Sequence, residues 1–232
     1  MSQENSQSDE EENRYEKSYE VPGNVIVDFG FNFLNNSSGD FETGFWGSKS
    51  LSLTYMYAFE WEDSHFSINP GIGITFEKFD FREDFTLSID RNEESEAVRL
   101  VEFDARFDNF DFSSIEKSKL AAHYIDIPLE FRYYKNKHNK DRGLRLSVGV
   151  LASIFLTGHT KIVYENDQER FKNRVRNDFN LNPFQLGIIG RVGIGGFNVF
   201  VKNRFTQLFE SDQGPEQTEA SYFTLGLSFI GF

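Results

Sequence analysis

The chain has 232 residues, 27 of them Phe, no cysteine and a formal net charge of −13. The length fits one barrel or sandwich domain. The absence of cysteine excludes disulfides, thiolate metal sites and a cysteine nucleophile, and the acidic balance argues against a nucleic-acid partner. No stretch approaches the about 18 to 20 consecutive apolar residues of a membrane helix. A membrane barrel is not excluded, because its strands carry only about 10 residues of alternating hydrophobicity.

The first 22 residues are acidic and poor in apolar side chains, with a run of charge at Asp9–Glu12. This composition predicts a disordered tail over 1–22, which the barrel interpretation below places in the periplasm. The chain starts without a basic region followed by an apolar stretch, so the start is not a signal peptide as it stands. We expect a mature chain whose leader has been removed or replaced.

Eight later segments alternate between apolar and polar residues with the period of two that is typical of β-strands. The connections between them alternate between short and long, and the longest covers 78–122. Outer-membrane barrels have short periplasmic turns and long outer loops. The sequence therefore predicts an all-β fold over 23–232, an eight-stranded antiparallel up-and-down transmembrane β-barrel in the bacterial outer membrane, with both termini periplasmic. The eight segments are 25–34, 50–61, 66–77, 123–134, 144–156, 184–194, 197–206 and 221–232.

Two prolines and two groups of aromatic residues refine this prediction. Pro70 and Pro128 lie inside alternating segments, and each removes a donor from the ladder, so we expect β-bulges there. Aromatic residues gather at the periplasmic ends of the second and fourth strands, as in the aromatic girdle of membrane barrels. These residues are Tyr55, Tyr57 and Trp61 on one strand and Phe131, Tyr133 and Tyr134 on the other.

The polar face of the strands would line the lumen and carry charges of both signs. Eight strands enclose a space that side chains fill, and opposed charges there should pair because an unpaired buried charge is costly. We therefore predict a structural network in a filled lumen instead of a path for solute. Its members are Asp28, Glu60, Glu77, Asp126, Glu130, Arg132, Arg145, Arg191, Lys202 and Arg204.

The longest connection, 78–122, contains strand-like stretches on both sides of the polar segment Arg91–Glu96. We predict an extracellular hairpin that continues the third and fourth strands beyond the membrane. Loops on a rigid scaffold are common binding surfaces, and the aromatic residues that we expect to contact a partner protein are Phe79, Phe81, Phe85 and Phe103. The acidic residues of this loop lack the Asp/Asn/Gly spacing of a calcium loop, so no metal site is predicted.

No set of residues with the spacing of an active site stands out. A catalytic Ser/His/carboxylate set at the outer rim would have to use His123 and His159 with Ser113, Ser114 and Glu116, and nothing in the sequence fixes these residues together. We therefore expect no enzymatic activity, no catalytic residue and no cofactor.

The segment Tyr124-Ile-Asp-Ile-Pro-Leu-Glu-Phe-Arg-Tyr133 resembles a strand of the small outer-membrane barrel proteins of Bacteroidetes, the PorT-like or outer membrane protein β-barrel group. The resemblance continues through 145–156, 159–161, 190–195, 206–209 and 214–216, and so covers about the C-terminal half. These motifs are structural, so the resemblance implies no active site. The PorT name implies a link to type IX protein secretion.

The sequence thus predicts a non-enzymatic scaffold or accessory subunit of an outer-membrane complex, in protein secretion or envelope biogenesis. The expected partners are outer-membrane lipids, other outer-membrane or surface proteins, and the barrel-assembly machinery during insertion. Two alternatives stay open: an outer-membrane enzyme that modifies lipid or peptide, and a soluble lipocalin-like barrel that binds a small apolar ligand.

Overall fold

The described part of the chain is made almost entirely of antiparallel β-strands. The computed structural model describes residues 23–37, 43–44, 46–81, 85–92, 95–102, 114–137, 143–166, 169–215 and 218–231; the predicted tail 1–22 lies outside them. The strands of the described residues are, in chain order, β1 (Asn24–Asn35), β2 (Lys49–Met56), β3 (Phe59–Glu60), β4 (Phe66–Asp80), β5 (Phe85–Asn92), β6 (Ser95–Glu102), β7 (Ser114–Tyr134), β8 (Leu144–Asn166), β9 (Glu169–Arg176), β10 (Phe184–Ile194), β11 (Phe197–Arg204) and β12 (Ser221–Gly231).

The wall of the barrel is a closed ring of β1, β2, β4, β7, β8, β10, β11 and β12, in that order. Closure comes from the antiparallel pairing of the first and last strands, in which Val25 lies opposite Gly231 and Asn35 lies opposite Ser221. The remaining strands lie outside this ring: β3 pairs with β4, β9 with β8, and β5 with β6 in a separate hairpin. The predicted eight-stranded antiparallel barrel is confirmed.

The alternation in the sequence becomes an apolar outside and a polar inside. On β8, Leu144 and Val150 are exposed on the outer surface, whereas Arg145 and Ser153 are buried within the ring. At about 3.3 Å per residue and a tilt of about 40°, the stretch Leu144–Leu156 rises about 30 Å, close to the about 25 Å apolar band of an outer-membrane barrel. Among the described residues, no helix is both long and apolar enough to cross a membrane.

The two ends of the barrel differ in their connections. At one end, which we call the short-turn end, the segments 57–65, 135–143 and 195–196 join neighbouring wall strands, and Gly195 adopts the positive φ that a two-residue turn needs. At the other, long-loop end, the wall strands are joined by 36–48, 81–113, 167–183 and 205–220. The first wall strand begins and the last one ends at the short-turn end, as the predicted asymmetry requires.

Two wall strands run far beyond the ring at the long-loop end. β7 and β8 stay paired from Tyr134 and Arg145 up to Ser114 and Glu165, and β9 adds a third strand to this extension. The sequence predicts a long loop, 157–183, between the strands 144–156 and 184–194, because the alternation of β8 ends at Leu156. A register shift opposite His123 and Tyr124 explains this break, since the extra residue on β8 exchanges the inward and outward faces.

The predicted bulges at the two prolines are wrong. Pro70 lies opposite Leu129 and Gly73 opposite Asp126, so β4 and β7 have the same register on both sides of Pro70. Pro128 likewise lies in an unshifted part of the β7–β8 ladder. Pro70 borders a short gap in the β4–β7 pairing and Pro128 lies within it, so the missing donors are tolerated without an inserted residue.

Candidate functional site: the barrel interior

Nine of the ten charges predicted for the lumen are buried inside the ring. Each lies at an inward position of a wall strand, two residues from another inward polar or small residue, as the strand period requires. Their exposed fractions are all 7% or less. The buried charges are Asp28, Glu77, Asp126, Glu130, Arg132, Arg145, Arg191, Lys202 and Arg204.

The prediction for Glu60 is wrong, because this side chain is exposed. Glu60 belongs to the two-residue strand β3, which pairs with β4 alone. The ladder between β1 and β2 already ends at Asn24 and Met56. Residues beyond Met56 therefore lie past the closed part of the wall, where both faces of a strand meet solvent.

Arg191 is the centre of the ionic network in the half of the lumen nearer the short turns. Its guanidinium donates to both carboxylate oxygens of Asp28, with an Nη2–Oδ2 distance of 2.9 Å, and its Nε donates to Glu130 Oε1 at 2.9 Å. Ser228 accepts a further bond from Nη1 at 2.8 Å. Glu130 also accepts from Arg132 Nε at 3.2 Å. One planar cation thus joins carboxylates from β1 and β7 across the ring.

Asp126 and Glu77 form a second group of ion pairs closer to the long loops. Thr75 and Ser153 each donate to Asp126 at 2.6 Å. Arg204 Nη2 lies 3.6 Å from Asp126 Oδ1 and 3.4 Å from Glu77 Oε1, and its Nη1 donates to Ser153 at 2.6 Å. The carboxylates are therefore held by hydroxyl groups as well as by a cation, which reduces the cost of burying them.

Lys202 lies between these two groups. Its Nζ is 3.8 Å from Asp28 Oδ2 and 3.9 Å from Asp126 Oδ2, and it donates to Ser52 at 3.2 Å. The same ammonium lies 5.6 Å from the ring centroid of Phe200. Lys202 consequently connects the two groups of ion pairs into a network, through longer contacts than those of Arg191.

The rings of two inward tyrosines lie beside the guanidinium of Arg204. The guanidinium carbon lies 5.3 Å from the ring centroid of Tyr124 and 5.4 Å from that of Tyr222. Tyr222 donates its hydroxyl hydrogen to Gln185 Oε1, and Gln185 Nε2 donates to Tyr124 Oη, both at 3.2 Å. This arrangement fixes the planar cation by cation–π contacts in a position that water would otherwise fill.

An apolar cluster closes each mouth of the barrel. At the short-turn end, Ile26, Met56 and Ile230 pack together inside the ring. At the long-loop end a larger cluster is built from inward residues of the wall and from the loops above it. Its buried members are Phe79, Phe81, Leu87, Val98, Leu120, Ala122, Tyr124, Phe179, Leu181, Leu208, Phe209, Ala220 and Tyr222. The lumen therefore consists of two apolar clusters with an ionic layer between them.

This cluster overturns part of the predicted partner-contact surface. Phe79 and Phe81 are 0% and 7% exposed and belong to the apolar cluster at the long-loop end, so they are not available to a partner protein. They continue the inward parity of Thr75 and Glu77 along β4, which explains the direction of their side chains. The side chain of Phe85 and all of Phe103 lie outside the described residues.

The hairpin of β5 and β6 contributes to the same cluster. Leu87 and Val98 are buried in it, and the backbone N–H of Val98 donates to the carbonyl of Gln213 at 3.4 Å. The hairpin therefore packs against the barrel at its long-loop end, although it is paired with no strand of the wall in the described part of the chain.

The sequence-based prediction of the lumen named charged residues only, and the structure adds several uncharged interior residues. The uncharged groups include the aromatic residues beneath the cations and the hydroxyl and amide groups that complete the network. Strand parity was the signal that could have found them, since each has the same parity as a predicted charge. Examples are Tyr124 beside Asp126, Phe200 beside Lys202, and Asn32, which donates to Glu77 at 2.8 Å.

The residues weighed for catalysis are only partly brought together. The rings of His123 and His159 meet edge to face on the outer surface, with centroids 5.7 Å apart. Ser113 and the side chains of Ser114 and Glu116 lie outside the described part of the chain. Within the described ranges, no three His, Asp or Glu side chains are grouped so that they could hold a metal ion.

A family profile and several solved structures are similar to this chain over most of its length. A profile of the family described as "Outer membrane protein beta-barrel domain" matches residues 5–214. No curated protein sequence matches the chain. Among solved structures, Ail, the attachment invasion locus protein of Yersinia pestis, in complex with the heparin analogue sucrose octasulfate, is similar at 8% identity and a TM-score of 0.38, over 90% of this chain and 97% of that chain. A porin mutant of Rh. blastica is similar at 11% identity and a TM-score of 0.21, over 90% and 99%.

The family match covers most of the ring described above, from its first strand to the loop before β12. The apolar outside, the closed antiparallel wall and the unequal connections are the features that such a barrel requires. The chain belongs to the outer membrane protein β-barrel domain family.

Proposed function

We propose that this outer-membrane β-barrel protein is a non-enzymatic scaffold or accessory subunit of an outer-membrane complex, with a filled lumen in place of a pore. The observation that carries the proposal is the closure of the interior. Side chains from all eight wall strands occupy the ring, and eight of the buried charges form ion pairs with one another. A barrel whose interior serves its own stability leaves its ends and its outer surface for function.

The long-loop end is the part that we assign to partner proteins. The three-stranded extension of β7, β8 and β9 continues past the ring, and β9 has exposed side chains on an edge of the sheet. In the described part of the chain β9 is an edge strand, and an edge strand can pair with a strand of another chain. We propose other outer-membrane or surface proteins as partners at this end, on this edge and on the β5–β6 hairpin, and the barrel-assembly machinery as a partner during insertion.

We further propose that the long loops face outward and that both termini lie in the periplasm. The support is the combination of an even number of wall strands with three short connections at the end where the chain enters and leaves the ring. The resemblance of the C-terminal half to the PorT-like group of Bacteroidetes supports a role in protein secretion or envelope biogenesis. The motifs of that resemblance lie on wall strands and loops, which is compatible with a scaffold.

The first expected result is the absence of ion conduction. Purified protein reconstituted in planar bilayers should give no stable ohmic steps, because the ionic layer and both apolar clusters fill the path through the ring. A porin inserted in the same bilayers is the positive control. Reproducible single-channel steps of porin size would contradict the filled lumen.

The second expected result concerns the hairpin of β5 and β6. Replacing 85–102 by a short Gly-Ser linker should leave the ring folded, because the hairpin pairs with no wall strand in the described residues and loop length has a modest cost. The change removes Leu87 and Val98 from the apolar cluster at the long-loop end, so some loss of stability is expected. Proteins that co-purify with the native barrel from its own membrane should be lost, as measured by quantitative mass spectrometry.

The matched comparison is a variant that lacks 1–22 and keeps the hairpin. It should retain the same partners, and both variants should show the heat-dependent gel mobility of a folded barrel. If the hairpin variant keeps its partners and the tail variant loses them, the contact is at the tail and the assignment to the long-loop end is wrong.

A further inference from the structure

The outward apolar side chains of the wall form a continuous band that we call the apolar belt. A row of basic side chains crosses the outside of the wall just beyond this belt, at the long-loop end. Lys49 of β2 lies directly opposite Lys78 of β4, Lys78 lies opposite Ala121 of β7, and Ala121 lies opposite His159 of β8. Residues that are paired in this way point to the same side of the sheet. The chain thus places three basic side chains in one line around the barrel.

The next row, farther from the membrane belt, is also basic. Asp80 of β4 lies opposite Lys119 of β7, Lys119 opposite Lys161 of β8, and Lys161 opposite Arg174 of β9. Lys78, Lys119, His159, Lys161 and Arg174 line one common cleft of about 260 Å³. We call the five cations of the two rows, together with the imidazole of His159, the basic patch: Lys49, Lys78, Lys119, His159, Lys161 and Arg174.

The basic patch is unfavourable for the isolated protein. Like charges in directly opposed positions, such as Lys49 with Lys78 and Lys161 with Arg174, destabilise a sheet. Partial burial lowers the pKa of Lys78, and the neighbouring Lys119, Lys161 and Lys49 lower it further. Among the ion pairs of the described residues, one carboxylate belongs to these rows, Asp80 with Lys119 at 2.9 Å. In a chain of net charge −13, this concentration of cations indicates an anionic ligand.

A second cleft extends from the basic patch onto the apolar belt. It also measures about 260 Å³, and it joins Lys49 and Lys78 of the patch to the outward apolar side chains Phe29, Leu51 and Phe76. These three side chains are 41%, 46% and 44% exposed on the belt. Cationic groups therefore lie directly above apolar groups on one continuous surface, at the level where the belt ends.

We propose that the basic patch binds the phosphate group of an anionic lipid headgroup in the membrane surface at the long-loop end. Phosphate oxygens would accept charge-assisted hydrogen bonds from Lys78, Lys161 and Arg174. The upper part of the acyl chain would lie on Phe29, Leu51 and Phe76. The ligand relieves the repulsion between the two rows of cations.

The position of the patch favours a lipid over an acidic protein or a free anion. An acidic protein would contact the patch from the aqueous side and would leave the apolar part of the second cleft unused. Free phosphate would gain nothing from Phe29, Leu51 and Phe76. This inference uses the barrel and its membrane location, so it stands or falls separately from the partner-binding role proposed above.

The test is a lipid titration of the full-length protein in detergent micelles, followed by native mass spectrometry. The probes are phosphatidic acid, zwitterionic phosphatidylcholine and water-soluble glycerol 3-phosphate. The native protein should retain phosphatidic acid in preference to both other probes. In the double variant Lys78→Gln/Lys161→Gln, the half-saturating concentration of phosphatidic acid should rise about tenfold or more, since two cations near an anionic headgroup are removed.

Two matched variants complete the experiment. Lys135→Gln/Lys137→Gln removes the same charge from the short-turn end and should bind phosphatidic acid like the native protein. Lys78→Arg/Lys161→Arg keeps the charge and should also bind it. Equal retention of phosphatidic acid by the native protein and the Lys78→Gln/Lys161→Gln variant would overturn the proposal. Glycerol 3-phosphate binding as tightly as phosphatidic acid would overturn the lipid assignment.

Discussion

Substituting Arg191 by Met is expected to lower the free energy of unfolding by about 3–5 kcal/mol, because it removes one partner of a buried ionic network. Asp28 loses its bidentate partner and Glu130 loses one of its two cations, while both carboxylates stay 1% exposed or less. Met keeps most of the length of the arginine stem, so packing changes little. The measurement is urea unfolding of the reconstituted barrel, followed by tryptophan fluorescence or by gel mobility.

Two comparison variants separate charge pairing from packing. The triple variant Arg191→Met/Asp28→Asn/Glu130→Gln should recover most of the loss, because it leaves no unpaired charge from this group in the lumen. Lys202→Met should cost less than Arg191→Met, since the carboxylates lie 3.8 and 3.9 Å from Lys202 Nζ and, within the described ranges, its one hydrogen bond goes to Ser52. An unchanged unfolding midpoint for Arg191→Met would show that the network does not stabilise the barrel.

On the outer surface, introducing a charge is expected to destabilise the barrel, whereas in the lumen removing one does. Val150 is 58% exposed in the middle of the outward face of β8, where it lies opposite Leu129 and Ile188. Arg at this position would stand at the bilayer midplane and should cost about 2–4 kcal/mol. The same urea unfolding in lipid vesicles measures it, because the penalty arises from the hydrocarbon around the barrel.

The control for this substitution is Leu144→Arg on the same strand. Leu144 is the first residue of β8, at the short-turn end of the belt, and is 36% exposed. A cation so close to the interface should cost about 0–1 kcal/mol. Equal losses at Val150 and Leu144 would contradict the placement of the belt, whereas a loss confined to Val150 locates the hydrocarbon core.

The two results together test why the protein is arranged with charges inside and apolar groups outside. A soluble eight-stranded barrel would place its apolar face inward, and Val150→Arg would then be an ordinary surface change. Here the interior holds four carboxylates and five basic groups with exposures of 7% or less. The stability of the ring therefore depends on pairing within the lumen and on apolar contact with lipid around it.

The sequence by itself determined the number of wall strands and the inward positions of the nine buried charges, out of ten that were predicted. These are properties of a period of two, which is regular along Leu144–Val150 and Phe184–Ile188. Within a stretch of strand that has no bulge, parity alone decides whether a side chain points to lipid or to the lumen.

Only the tertiary structure decided where that parity changes, which strands lie at one level, and where the ring ends. The register shift beside His123 exchanges the faces of β8. Among the described residues the β1–β2 ladder ends at Asn24 and Met56, and Glu60 beyond it is exposed. The basic patch likewise depends on cross-strand register, because Lys49, Lys78 and Lys161 are distant in sequence and meet only when their strands pair. The physical reason is that strand period is a local property of the backbone, whereas register and closure depend on hydrogen bonds between segments far apart along the chain.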